Sequence, residues 1–293
     1  MKEMRLMEDN LLDTLAKGSK KFSKGQRAIA KYILSNYDKA AFLTAGKLGE
    51  IVGVSESTVV RFATELGYDG YPTMRKALQE MIRNRLTSVQ RIEVARSMLD
   101  EKDIAKSVIT SDMQNLQATL DNLDQVSFDA AIDEIIKAKR VYIVGMRTST
   151  SLASFLGLYL NLLRDGITVV RDTAASETFE QLIRLGEGDL FIGISYPRYS
   201  SHTIEAMQFA KKMGAKAIAI TDSAASPITD SADICLYAKS DMVSFIDSLV
   251  APLSLINAII VAVAKKNRED VLKTFENLES IWQEYDVYEK TNS

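Results

Sequence analysis

The sequence predicts two domains in one chain: an N-terminal all-α helix-turn-helix domain, and a C-terminal α/β domain built on a doubly wound parallel sheet. Three observations predict this. At 293 residues the chain has room for two hydrophobic cores. Before residue 90, short amphipathic segments surround a tight turn containing glycine. From Asp124 onward, helical patterns alternate with short runs rich in Val and Ile and apolar on both faces, as parallel strands covered by helices are.

In order along the chain, Phe22, Ala28, Ile29, Ile33, Leu34 and Tyr37 follow a helical spacing with Ser23 as N-cap, which predicts the first core helix. Ala45 to Val52 forms a second helix, Gly53-Val54 a break, and Ser55 to Leu66 a third that stops at Gly67. The Tyr71-Pro72 turn introduces a helix from Thr73 to Arg85. Leu86 to Leu123 lacks Gly and Pro, and its apolar residues recur at helical intervals. It reads as linker helices, able to serve a dimer interface or to pack on their own chain.

Beyond it the predicted order is helix Phe128 to Ala138, strand Arg140 to Gly145, helix Ser149 to Leu163, strand Ile167 to Arg171 and helix Ser176 to Leu185. Strand Asp189 to Ser195, helix Ser200 to Met213, and strands Ala215 to Thr221 and Asp233 to Tyr237 follow. The predicted partition is 1–85 for the helix-turn-helix domain, 86–123 for the linker, 124–268 for the α/β domain and 269–293 for a helical tail.

Composition narrows the function classes. Hydrophobic residues make up 46% and charged residues 26%, as in globular proteins. The apolar run Leu249 to Ala264 is about 16 residues long and interrupted by Pro252, Ser254 and Asn257; a membrane span needs about 20, so it reads as a buried helix. The opening MKEMRLMEDN mixes both charge signs without an apolar signal core, and a cytoplasmic location is expected. Cys235 and His202 are each the one residue of their kind. That leaves no intramolecular disulfide, no thiolate cluster for zinc, and at most one histidine for a triad or metal site. No catalytic residue, metal or cofactor is expected.

The net charge of −3 conceals an asymmetry. Residues 1–90 hold 15 Lys and Arg against 10 Asp and Glu, a net of +5, and the rest hold 21 against 29, a net of −8. A basic segment on an acidic body suits a DNA-binding domain joined to a sensor. In a helix-turn-helix the second helix enters the major groove, so its outer face is polar and partly basic. Here it reads SESTVVRFATEL. Val59, Phe62, Ala63 and Leu66 form a core stripe, which leaves Ser55, Glu56, Ser57, Thr58 and Arg61 toward solvent. Arg61 is expected on a phosphate or guanine, Ser57 and Thr58 near bases or backbone, Ser55 at the cap, and Lys47, Arg75 and Lys76 on phosphates. An ordinary solvated helix face is the alternative for each.

In open parallel sheets, ligands sit beyond the carboxyl ends of the strands. Two loops there are rich in hydroxyls: GMRTSTS, with Gly145, Arg147, Ser149 and Ser151, and SYPRYSS, with Ser195, Arg198 and Ser200. Each leads into a helix whose N-terminus favours an anion. The two arginines suit a doubly anionic ligand, or else point to solvent or pair with Asp172 or Glu177. For the serines, simple N-capping is the alternative.

VSESTVVRFATELGYDGYP, VGMRTSTSLA, ISYPRYSSHTIEA and FIDSLVAPLSLINAIIVAVA, in this order and over most of the chain, resemble the RpiR family of regulators, a helix-turn-helix domain followed by a sugar isomerase (SIS) domain. The resemblance implies a regulator of carbohydrate or amino-sugar metabolism that binds a double-stranded DNA operator. Its SIS domain is expected to bind a sugar phosphate and to form a homodimer or homotetramer. The chain departs from the common SIS loop Ser-x-Ser-Gly-x-Thr: Pro197 and Arg198 replace Ser-Gly, Ser200 stands for Thr, and Arg147 replaces a small residue. The arginines are expected to recruit a carboxylate beside the phosphate, as in a phosphorylated sugar acid.

Two other readings stay open at this point. A sugar-phosphate isomerase needs a poised proton carrier, for which His202, Glu205 and Glu177 are the candidates. A SIS domain serving only as a dimeriser needs no ligand.

Overall fold

The computed structural model describes residues 11–18, 22–83, 87–98, 103–171, 175–242 and 245–288; the opening decapeptide, Arg85, Leu86 and Asp172 lie outside the described residues. The chain divides into two compact units, Met1–Ser107 with Met242–Ile246, and Val108–Asp241 with Asp247–Ser293.

The first unit is helical: α1 (Leu11–Gly18), α2 (Lys24–Ser35), α3 (Tyr37–Ala40), α4 (Ala45–Val52), α5 (Glu56–Glu65), α6 (Tyr71–Arg83) and α7 (Ser88–Met98). A capping box starts α2, with Gln26 N donating to Ser23 Oγ and Ser23 N donating to Gln26 Oε1. The expected first core helix is thus preceded by α1, whose Leu11 and Leu15 are buried in the same core. It also ends at Ser35, because Asn36 leaves helical geometry and a separate turn of helix carries Tyr37. α6 begins at Tyr71 rather than after Pro72, since a proline in the first turn lacks only an N–H that would have no helical partner.

Between α4 and α5 the chain reverses at Gly53, with φ 73°, a left-handed conformation that a side chain disfavours. Ile29, Ile33, Leu48, Val59, Phe62, Ala63, Met74 and Leu78 close the core beneath this turn. Phe22 meets Phe62 edge to face at 5.2 Å.

The second unit begins within α8 (Ile104–Asp121), and the expected linker region holds two helices, α7 and α8. Asn115 on α8 is buried and brackets the backbone of Asp241, receiving its N–H on Oδ1 at 3.2 Å and donating Nδ2 to its carbonyl at 3.3 Å. Then come α9 (Gln125–Lys137), β1 (Val141–Gly145), α10 (Ser149–Leu163), β2 (Ile167–Val169), α11 (Ala175–Gln181), β3 (Leu190–Ile194), α12 (Ser201–Lys212), β4 (Lys216–Thr221), a 3₁₀ turn (Pro227–Ser231), β5 (Ile234–Tyr237), α13 (Val250–Lys266) and α14 (Arg268–Glu284). α11 stops at Gln181, short of the expected Leu185, and carries Glu177 in its first turn.

The five strands are parallel in the order β2-β1-β3-β4-β5, the order of a doubly wound fold. One face, formed by Val141, Ile143, Ile192, Ile194 and Ile218, packs on α9, α10 and α13. The other, formed by Tyr142, Val144, Phe191, Ala217 and Ala219, packs on α12. The apolar run around Leu249 to Ala264 forms α13, which buries Ala251, Leu255, Ile256, Ile259 and Val263. Among the described residues no single helix is long and apolar enough to cross a membrane.

Candidate functional site

Two candidate sites emerge, one in each unit. In the first, Ser55 caps α5: Thr58 N donates to its Oγ at 3.3 Å, and the hydroxyls of Ser57 and Thr58 lie 2.9 and 2.8 Å from the same oxygen. Such a cap stabilises the helix by about 1 kcal/mol and arranges three hydroxyls around its positive end. Ser57 and Arg61 are exposed and Thr58 is half-buried.

Lys47 sits on α4, where its Nζ lies 2.8 Å from Glu50 Oε2, which raises its pKa and lowers that of Glu50. Arg75 and Lys76 lie on α6, half-buried and exposed. The positive charge of Arg75 only partly offsets burial at Tyr71, whose phenol is pushed up to about 12.

The structure adds what the residue pattern did not reveal: a cleft of about 780 Å³ between the start of α2 and the outer side of α5, lined by Ser23, Gly25, Gln26, Ser55, Thr58 and Arg61 among others. Lys24 and Arg27 are exposed beside it. The one available sequence signal was that basic pair next to the Ser23 cap.

In the second unit, β1 and β3 are neighbours in register, Gly145 opposite Ile194. The helices that follow them, α10 and α12, pack on opposite faces of the sheet. This is the switch point of a doubly wound fold, where the loops part and a crevice opens. The two hydroxyl-rich loops leave from these adjacent strand ends, so the fold brings together the residues read as ligand-binding.

In the first loop Gly145 permits a close return of the chain, since a Cβ there would lie 2.5 Å from the Ser149 carbonyl oxygen. Arg147 is exposed with φ 57°. Thr148, not Ser149, is the N-cap; Ser149 is buried in the first turn and Ser151 is exposed. The amides of Ser149, Thr150 and Ser151 already donate to the carbonyls of Met146, Arg147 and Thr148, at 3.1, 3.1 and 3.3 Å. The expectation that this helix start offers its amides to an anion is therefore modified: here the hydroxyls, not those amides, are the available donors.

The second loop differs. Ser200 caps α12 without a side-chain bond, and the first helical bond closes from Ile204 N to Ser200 O. A helix start leaves the preceding amides without intrahelical acceptors. Ser195 is 2% exposed and its Oγ has no hydrogen-bond partner; the same holds for Tyr196 OH and for Thr203 Oγ1 in the first turn of α12. Burial, reinforced by the Asp222 charge, pushes the Tyr196 phenol well above its ordinary value. A buried hydroxyl without a partner costs about 1–3 kcal/mol, and all three of these lie between residues 195 and 203. Arg198, like Arg147, is exposed at positive φ, 63°.

His202 and Glu205 are exposed on α12, and Glu177 is exposed on α11. Among the described residues no group of three His, Cys, Asp or Glu side chains is placed to hold a metal ion.

Comparison with known proteins places both halves. The helix-turn-helix domain model of the rpiR family matches residues 9–85, and the SIS domain model matches residues 134–262. An HTH-type transcriptional regulator of Caldanaerobacter subterraneus is 25% identical over 279 residues, covering 93% of this chain and 96% of the relative. The sugar isomerase domain of an RpiR transcription factor from Sphaerobacter thermophilus is 32% identical with a TM-score of 0.58, covering 60% of this chain and 98% of that one. The Vibrio vulnificus NanR protein, solved in complex with ManNAc-6P, shares the fold at 23% identity and a TM-score of 0.57, over 93% of this chain and 99% of that one.

Proposed function

This chain belongs to the RpiR family of helix-turn-helix transcriptional regulators with a SIS domain, and from that premise we propose that it is a cytoplasmic regulator of carbohydrate or amino-sugar metabolism whose DNA binding is controlled by a phosphorylated sugar or sugar acid. One observation carries the effector half of the reading: at the β1/β3 switch point, Ser195 Oγ is buried without a partner beside the start of α12. A phosphate seated there accepts from Ser149, Ser195 and Ser200 and lies at the positive end of α12.

Arg147 and Arg198 flank that seat. A glycine would adopt their left-handed backbone without strain, so the guanidinium groups are retained at a cost of about 1 kcal/mol each. Such strain is retained at ligand-binding positions, and two cations on neighbouring loops suit a ligand with a carboxylate in addition to its phosphate. The chain is a regulator and not an isomerase, as its relative of Caldanaerobacter subterraneus is named. The exposure of His202, Glu205 and Glu177 fits that reading.

On the DNA side, Ser55, Ser57, Thr58 and Arg61 face the operator, with Lys47, Arg75 and Lys76 on phosphates. The chain acts as a homodimer or homotetramer. The effector shifts the balance between two arrangements of the DNA-binding domains by binding one of them more tightly, with the linker helices as the relay.

Isothermal titration with a sugar phosphate and with the matching phosphorylated sugar acid tests the effector. The acid is expected to bind more tightly, and Ser195→Ala to weaken both. Tighter binding of the plain sugar phosphate would remove the second anionic group from the proposal.

A further inference from the structure

The DNA-facing helix carries one partly exposed apolar side chain on its polar side. α5 turns Val59, Phe62 and Ala63 inward, all fully buried. On its other side Ser57, Val60, Arg61 and Thr64 stand three and four residues apart, the spacing of neighbours on one helix face. Within that polar group Val60 is 38% exposed. A β-branched residue on a helix surface loses side-chain freedom, and more than a third of this one's surface stays open to solvent, so helix formation gains nothing from it and burial uses it only in part. The Thr64 hydroxyl bonds back to the Val60 carbonyl at 3.2 Å, so it is engaged with the helix's own backbone.

Base edges in the major groove offer donors, acceptors and one apolar group, the 5-methyl of thymine. We infer that Val60 reads a thymine in the operator by packing its isopropyl group on that methyl, while Ser57 and Arg61 make the polar contacts on either side. Cytosine presents no methyl and places an amino group on the same edge, so this contact selects thymine. The inference rests on the proposed seating of α5 in the groove, and it names one base-reading side chain that the polar pattern of the helix does not.

The test begins with a binding site selected from a random duplex pool by the full-length protein. Each thymine of that site is then replaced in turn by uracil, which removes only the methyl group. Affinities of the wild type and of Val60→Ala are measured at fixed salt. At one thymine position the wild type is expected to lose about fourfold, the yield of burying one methyl-sized group. Val60→Ala is expected to start about fourfold weaker and to be indifferent to uracil at that position. Val60→Ile, which keeps the apolar surface, is expected to retain the sensitivity. Both variants should melt close to the wild type, because Val60 lies outside the buried core and alanine's higher helix propensity offsets the packing that Val60→Ala gives up. A selected site at which no thymine-to-uracil change separates wild type from Val60→Ala overturns the inference and leaves DNA binding standing. A pool that yields no enriched sequence overturns the seating of α5 in DNA, and the inference with it.

Discussion

Tyr199 donates its phenolic hydrogen to Asp222 Oδ1 at 2.8 Å, joining the loop after β3 to the end of β4. Asp222 is buried, and Thr221 Oγ1 lies 3.3 Å from the same oxygen. A hydrogen bond to a buried charged acceptor contributes about 1.5–3 kcal/mol. Because this one holds the loop that carries Ser195, Arg198 and Ser200, Tyr199→Phe is expected to lower the stability of the α/β domain by about 1–2 kcal/mol and to weaken effector binding. Asp222→Asn, which keeps an acceptor, should lose less than Asp222→Ala. Urea denaturation and calorimetric titration of the full chain measure both effects.

The two left-handed arginines make a sharper prediction. Arg147→Gly and Arg198→Gly relax φ values of 57° and 63°. Each should leave stability unchanged or raise it by up to about 1 kcal/mol, the relief being partly offset by the chain entropy that glycine adds to the unfolded state. Each should also weaken binding of a phosphorylated sugar acid more than of the plain sugar phosphate. Stability and affinity moving in opposite directions distinguish residues kept for a ligand from residues kept for the fold; a fall in both would assign them to the fold.

Arg61 is exposed, so Arg61→Ala should leave the melting temperature unchanged while reducing operator affinity by about 1–3 kcal/mol. Lys76→Ala, which removes a proposed phosphate contact, should weaken binding to all sequences alike and reduce the slope of log affinity against log salt by about 1. Lys47→Ala should act less strongly, because Lys47 is already paired with Glu50. Salt titrations followed by fluorescence anisotropy separate these cases.

Tyr71 ties α6 to the loop between α3 and α4, donating its hydroxyl to the Leu43 carbonyl at 3.0 Å, and burial pushes its phenol up to about 12. The unfolded chain releases this proton near pH 10 and the folded one near 12. The stabilisation is therefore complete below pH 10 and lost as pH rises through 12. The helix-turn-helix unit is expected to melt at lower temperature through that window. Tyr71→Phe should flatten the alkaline loss while lowering stability by about 1 kcal/mol at neutral pH through the lost hydrogen bond. Circular dichroism melts at several pH values check this.

The parts of the fold that were legible in the sequence are those with local punctuation. Gly53 marks the turn between α4 and α5, Ser55 and Ser23 mark helix starts, and strands buried on both faces announce themselves as Val- and Ile-rich runs. Misreadings fell where punctuation is ambiguous. Tyr71-Pro72 serves equally as a turn or as a first helical turn, and Leu11 and Leu15 are too short an apolar pair to announce α1. In the candidate pocket, residue types suggested the two loops, but strand order is a nonlocal property, so their meeting at a switch point was not readable. Nor were the positive φ of Arg147 and Arg198, the occupied amides of Ser149, Thr150 and Ser151, or the buried, partnerless Thr203, because each depends on how the loops are folded against neighbours rather than on local pattern.

In this protein one ligand is proposed to control the grip of the helix-turn-helix domain on DNA. The most direct test of that control is fluorescence-anisotropy binding of the full chain to the DNA upstream of its own gene, at fixed salt, with and without a panel of sugar phosphates and phosphorylated sugar acids. The expected result is sequence-specific binding that at least one doubly anionic compound shifts by about 5- to 150-fold, the usual range of coupling between two sites. Specific binding that no compound in the panel moves, or the absence of specific binding under every condition, would contradict it.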